Sequence, residues 1–333
     1  MLLVQRCYDV VEVKGENIHF MKSQKLKGNS ILLLVAFIWG VSFIAQSKGV
    51  ESIPPATFNG VRSLLGSVAL LPVIALLDFF KKKQGIAVQR LDKSLIVGGV
   101  CCGIFLCIAG TLQTMGMQYT SPGKAGFITA LYMVIIPIFE LFAGKKPRPV
   151  VLLAVAIAVI GMYLMCIDSE LSINKGDIII LICAFFFAGH ILVVNHFSPK
   201  MDGVKLSCIQ FFVCGVLDIL FALIFEKPQI APLFEGWISI GYAGIMSCGV
   251  AYTLQIIGQK YTDPTSASIL MSLESVFSTL TTVILIACGW KLTGGALETK
   301  EIVGCVLMFV AILFVQLPER MPKTDKLSAS SGT

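Results

Sequence analysis

Histidine is nearly absent from this 333-residue chain: His19, His190 and His196 are the full set, and no cysteine pair stands at zinc-ligand spacing beside one of them. A metal site is therefore not expected. Neither an HExxH nor a GxSxG element occurs, so an intramembrane hydrolase has no recognisable nucleophile or metal cradle, and the chain reads as a non-enzyme without a cofactor. No filter-like segment or ring of like charge points to a channel. The connections between apolar stretches are too short to hold a soluble domain. The first twenty residues lack the apolar centre of a signal peptide and are too polar to span a bilayer. They read as an extension of the reading frame before Met21 or as a disordered tail.

What fills the chain instead is apolar. Hydrophobic residues occupy 56% of positions, charged residues only 14%, and mean hydropathy is +0.85, beyond what a soluble domain carries. A crossing of a hydrocarbon core about 30 Å thick takes roughly 20 such residues at about 1.5 Å rise each. Ten windows qualify: 28–47, 55–77, 94–117, 122–143, 149–167, 177–195, 205–225, 236–257, 264–289 and 298–316. Most of the eleven cysteines, Cys101, Cys107 and Cys214 among them, fall inside these windows, where packing is their expected role.

Lys and Arg fix the expected orientation. With a cytoplasmic N-terminus, nineteen of the 26 basic residues fall on the inner side and six on the outer, leaving Arg62 alone inside a span. Both termini are therefore expected in the cytoplasm, with residues 1–27 and 317–333 as tails. The net charge of +6 reads as attraction to anionic inner-leaflet lipid and needs no nucleic-acid partner. Oligomeric state is left open.

One phrase occurs twice. "TLQTMGMQYTSP" begins at Thr111 and "TLQIIGQKYTDP" at Thr253, an offset of 142, each at the tip between two spans. Each ends a helix at Gly116 or Gly258 and places Tyr119 or Tyr261 at the interface. Ser121 or Asp263 then caps the next helix, with Pro122 or Pro264 as its first residue. At an offset of 148, "FIWGVSF" from Phe37 aligns with "FFFAGHI" from Phe185, and Arg62 with Gln210. The expected architecture is an all-α membrane protein of ten transmembrane helices, built as two five-helix repeats, 28–167 and 177–316. Because five is odd, the second repeat enters the membrane inverted, and alternating access to a central site is the expected consequence. A larger helical bundle without transport is the alternative.

Several phrases carry a family resemblance. "AFIWGVSF" from Ala36, "PATFNGVRSLLG" from Pro55, "TLQTMGMQYTSPGKAGFITALYMVIIP" from Thr111 and "SLESVFSTL" from Ser272 occur in order on the expected spans. Together, over about 27–318, they resemble the EamA-like family of the drug/metabolite transporter superfamily. The resemblance implies ten transmembrane helices and secondary transport of small metabolites such as amino acids, commonly outward, in the cell membrane. The chain departs from the family pattern where Ser275 rather than proline follows Glu274, and where "CGWKLTGG" runs from Cys288.

Glu274 stands ten residues after Pro264, about 15 Å into the bilayer. A carboxylate there costs roughly 2.5–3.5 kcal/mol on insertion scales, so it should face the interior, as a proton-coupling group, a substrate-amine site or a packing hydrogen bond. Tyr132 is its counterpart in the first repeat. Arg62, seven residues after Pro55, can meet a substrate carboxylate, pair with Glu274, tie helices together or snorkel outward. Gln113 and Gln255 at matched depths, with Trp39, Ser42, Gln46, Asn59 and Thr129, add a polar lining suited to a small zwitterion, though each alone can serve as interhelical glue. His190, Asn195 and Asp218 fall under that same reading, and Glu140 reads as an interfacial partner of Lys145 and Lys146. Gly98, Gly99, Gly103, Gly241, Gly244 and Gly249 should let helices approach closely, and Pro72 and Pro137 should bend theirs.

Overall fold

Helices account for all the regular structure among the described residues, which are 2–120, 122–144, 148–166, 174–289 and 299–316 of a computed structural model. Apart from the short turns Ser198–Lys200 and Ala231–Glu235, in chain order they are α1 (Leu2–Gly49), α2 (Pro55–Lys83), α3 (Lys93–Gly116), α4 in two pieces (Pro122–Ala130 and Tyr132–Phe142) and α5 (Pro149–Cys166). There follow α6 (Lys175–Phe197), α7 (Gly203–Phe225), α8 in abutting pieces (Trp237–Gly241, Tyr242–Ala251 and Tyr252–Gln259), α9 in two pieces (Pro264–Met271 and Glu274–Ala287) and α10 (Thr299–Gln316). Eight contain a stretch long and apolar enough to cross a membrane, whereas α5 and α10 offer the shorter apolar stretches Pro149–Gly161 and Ile302–Phe314. The apolar crossing of α1 is Ser23–Gly49. Its backbone continues as helix back to Leu2, so the segment expected as an extension of the reading frame or a disordered tail is helical, with no proline before Pro54 to end it.

Local sequence explains where helices start. Asp92, Asp202 and Asp263 each accept a backbone N–H from the first turn they precede, and Asn174 with Asp177 forms a reciprocal capping box. The cap expected at Ser121 lies outside the described residues. Pro54 cannot cap α2, and the carboxylate of Glu226, at the end of α7, accepts from Ala56 N, Thr57 N and Thr57 Oγ1 at 2.8, 2.7 and 2.9 Å instead. Pro72 and Pro137 sit inside helical segments without ending them.

Polarity runs inside out relative to a soluble protein. Leu71, Phe79, Leu223 and Ile224 are exposed, while Arg62, Asp218, Glu274, His190 and Gln210 are buried, as a lipid solvent requires.

The packing exchanges the two halves. Helix α2 lies along α7, and α5 along α10; α3 meets α6 and α7 as α8 meets α1 and α2; α4 meets α6 as α9 meets α1. The repeated phrase makes these contacts at each tip. Thr120 Oγ1 donates to Asp177 at 3.0 Å, and its counterpart Thr262 donates to Asn29, the residue matching Asp177, at 3.1 Å. A Cβ on Gly176 would come within 2.6 Å of Gly116 O, and one on the matching Gly28 within 3.0 Å of Gly258 O. Of the six glycines expected at close contacts, Gly98, Gly99, Gly103 and Gly244 have neighbours that an added Cβ would meet within 3.1 Å. Gly241 faces open space, and Gly249 leaves room for ordinary contact.

Candidate functional site

Both two-piece helices break at the same repeat position. In α4 the chain turns at Leu131, and in α9 at Ser272 and Leu273. Tyr132 and Glu274 are thus the first residues of the two resumed segments. They meet: the Tyr132 hydroxyl donates to Glu274 Oε1 at 3.1 Å, the only hydrogen bond of the Glu274 side chain among the described residues.

Around this pair lies a cavity of about 30 Å³, lined by Trp39, Phe43 and Gln46 of α1, Arg62 of α2, Gln113 of α3, and Thr129 and Tyr132 of α4. Phe187, His190 and Ile191 of α6, Ser247, Tyr252 and Gln255 of α8, and Glu274 of α9 complete it. The lining follows the repeat, pairing Trp39 with Phe187, Phe43 with Ile191, Gln113 with Gln255 and Tyr132 with Glu274. Its volume accommodates a water or two, against the roughly 300–1,000 Å³ of a typical ligand pocket.

Eight of the ten residues given to the polar lining from the sequence, Glu274, Arg62, Tyr132, Gln113, Gln255, Trp39, Gln46 and Thr129, meet at this cavity. Ser42 and Asn59 stand one layer behind: Ser42 Oγ accepts from Gln46 Nε2 at 3.3 Å, and Asn59 Oδ1 accepts from Arg62 Nε at 2.8 Å. Arg62 is held in this way, lies over the Phe58 ring at 5.8 Å and is only 5% exposed, so its head stays buried, and it makes no ion pair with Glu274. Gly66 and Gly244 set its position, because a Cβ on Gly244 would lie 2.9 Å from Arg62 O and one on Gly66 2.8 Å from Gly244 O. Gln113 Nε2 donates to Thr129 Oγ1 at 3.2 Å, and His190 Nε2 pairs with Gln210 Oε1 at 3.1 Å.

Four buried lining atoms have no hydrogen-bond partner: Trp39 Nε1, Gln46 Oε1, His190 Nδ1 and Gln255 Oε1. Unpartnered polar atoms in a membrane interior are costly. Arg62 and the indole N–H answer a negative group; Glu274 and the glutamine oxygens answer a positive one.

Sequence reasoning passed over Tyr252, whose ring packs against Trp39 at 4.6 Å and Phe211 at 5.1 Å. Its repeat counterpart is Gly110, so the alignment of halves does not flag it. Glu140 accepts from Thr265 Oγ1 at 2.6 Å, while Lys145 and Lys146 lie outside the described residues. A larger crevice of about 720 Å³ opens between α2, the 84–92 segment and α7. Its buried cation, Lys205, is already bonded to Asp78 at 2.8 Å and to Gln89 O at 2.6 Å.

The model of the EamA-like transporter family matches residues 26–167 and again 174–317. An uncharacterized transporter of Archaeoglobus fulgidus is 30% identical over 289 residues, 86% of this chain and 84% of that one. The uncharacterized inner membrane transporter YedA of Escherichia coli is 23% identical over 86% of this chain and 89% of its own length. A solved crystal structure superposes with a TM-score of 0.66 at 18% identity, covering 86% of this chain and 96% of that one, which shows a shared fold.

Proposed function

The chain belongs to the EamA-like transporter family and is a multi-pass membrane transporter; from that premise we propose that it moves a small zwitterionic metabolite of the amino-acid class across the cytoplasmic membrane by alternating access, in the direction of export. One observation carries the reading: a cavity on the repeat axis where Arg62 and Glu274, with four unpartnered buried polar atoms, converge beside two helix breaks. Arg62 receives the substrate's negative end and Glu274 its positive end. The apolar side of the solute lies against Phe43, Phe187 and Ile191.

The exchanged packing of the halves supports ten crossings in two inverted repeats, α5 and α10 included, and the distribution of Lys and Arg supports cytoplasmic termini. A cavity too small for a metabolite is the closed form, and the turns at Leu131 and Ser272 are the joints about which half-helices swing to open it toward one side or the other. When no substrate amine is present, Glu274 takes a proton, which couples movement of the solute to a proton gradient.

Proteoliposomes test this directly. Counterflow of labelled amino acids, leucine first because of the apolar walls, is expected to be saturable and to respond to an imposed pH gradient, and Glu274→Gln to remove the pH-driven part. A pH-driven flux unchanged in that variant overturns the coupling role. Absence of saturable counterflow for every amino acid overturns the substrate class. Labelling that locates Tyr119 and Tyr261 on one face of the membrane overturns the inverted arrangement.

A further inference from the structure

Asp218 lies outside the cavity, on α7, and is buried. Both of its oxygens are occupied. Oδ1 accepts from the Thr111 hydroxyl and from Cys107 Sγ at 3.3 Å; Oδ2 accepts from Asn59 Nδ2 at 2.6 Å and from Cys214 Sγ at 3.3 Å. The donors come from α2, α3 and α7, and every one is neutral. This is the surrounding a carboxylate needs and a carboxylic acid does not. It supplies no positive charge, which a carboxylate in a membrane interior requires nearby.

Among the described residues, Arg62 is the one cation that lies within an apolar crossing stretch and away from its ends, and it reaches Asp218 through a single amide. Its Nε donates to Asn59 Oδ1 at 2.8 Å, while Asn59 Nδ2 donates onward to Asp218. The amide cannot be turned round, since that would set its NH₂ against the guanidinium and its oxygen against the carboxylate. The spacer has a consequence for binding. A direct arginine–carboxylate pair is commonly bidentate and occupies the guanidinium fork. Here only Nε is used, and the two terminal nitrogens, which have no acceptor among the described residues, belong to a side chain that lines the cavity.

We propose that Asp218 is a positioning residue for the anion-binding end of the site: a counter-charge held one amide away, which anchors Arg62 and leaves its fork open to a substrate oxyanion. The proposal rests on the transport reading above for its functional half and on the hydrogen-bond chain alone for its structural half.

Two measurements separate these halves. In thermal unfolding of the purified full-length protein in detergent, Arg62→Gln and Asp218→Asn each leave one buried charge without its opposite. Each is expected to lower the midpoint, and the double variant to regain most of the loss although the two side chains do not touch. Losses that simply add overturn the proposal. Where neither single variant folds, recovery in the double supports it and failure of the double overturns it. In leucine counterflow, Asp218→Asn is expected to raise KM about tenfold or more with Vmax retained, and to add nothing in an Arg62→Gln background. An unchanged KM in folded Asp218→Asn protein also overturns it. A wild-type protein that carries no amino acid at all tells instead against the transport reading, and the unfolding cycle then decides the relay by itself.

Discussion

Glu274 and Asp218 are both carboxylates buried at membrane depth, and their surroundings are opposite. Glu274 has a single hydrogen bond, from Tyr132, lines the cavity, and begins the helix segment that follows a break. Asp218 has four donors, lies off the cavity, and sits within an unbroken helix. Repeat symmetry divides them too: the counterpart of Glu274 is Tyr132, its own partner, whereas the counterpart of Asp218 is Leu70. An under-bonded acid beside a joint can change partners as the joint moves. A saturated acid on a continuous helix is committed to one arrangement. On the function proposed above, the transport cycle and the scaffold that serves it use the same residue chemistry in two different states of satisfaction.

The contrast breaks or holds on stability first. Asp218→Ala strands Arg62 as an uncompensated buried cation and opens four donors, so a loss of about 3–5 kcal/mol is expected in detergent unfolding. Glu274→Gln removes a buried charge and keeps a group able to accept from Tyr132, and should shift stability by less than about 1 kcal/mol. Transport should respond to Glu274 despite that small shift in stability. Glu274→Gln is expected to cut counterflow by about tenfold to a hundredfold, the worth of a hydrogen bond to a charged group. A Glu274→Gln protein that unfolds, beside an Asp218→Ala protein as stable as wild type, would dissolve the distinction.

A milder change sharpens it. Tyr132→Phe deletes the one bond to Glu274 and leaves the ring, for an expected tenfold or smaller rise in KM, on the scale of about 0.5–1.5 kcal/mol per hydrogen bond. In a Glu274→Gln background the same change should have less effect, because the pair acts as a unit. Equal effects in both backgrounds would show that Tyr132 serves only to pack.

Sequence reading found the half of this comparison that stands out against an apolar background. A carboxylate or guanidinium in a hydrophobic run is conspicuous, and the repeat gave Tyr132, Gln113 and Gln255 their partners, so eight residues of the cavity were legible. The joints were not: Leu131 and Ser272 carry no breaker, and the proline that suggested a bend, Pro137, lies inside a helix instead. Asp218 was visible as a charge, but its meaning depends on Asn59, Thr111 and Cys107 arriving from two other helices, a registration that no periodicity within one span encodes. Tyr252 was hidden because one aromatic among apolar neighbours is ordinary and its counterpart is a glycine.

A third carboxylate, outside the crossing segments, supplies the weak limit of the series. Asp202 caps α7 and accepts from Lys81 Nζ at 2.5 Å. Burial raises its carboxyl pKa, but the Lys81 contact and the Lys205 and Val204 N–H groups outweigh that and hold it below the usual aspartate value. A pKa lowered by folding means that the group's contribution is complete above the unfolded value, about 3.9, and is lost as pH falls through the folded one. Lys81 is about one-third exposed, with 32% of its side chain accessible, so the pair should be worth about 1 kcal/mol or less. The unfolding midpoint of the wild type should accordingly fall more steeply below about pH 4 than that of Lys81→Met, with the two curves parallel at neutral pH. Identical slopes in the acid range would remove Lys81 as the cause, and leave the backbone N–H groups of α7 as the ones that hold Asp202 ionised.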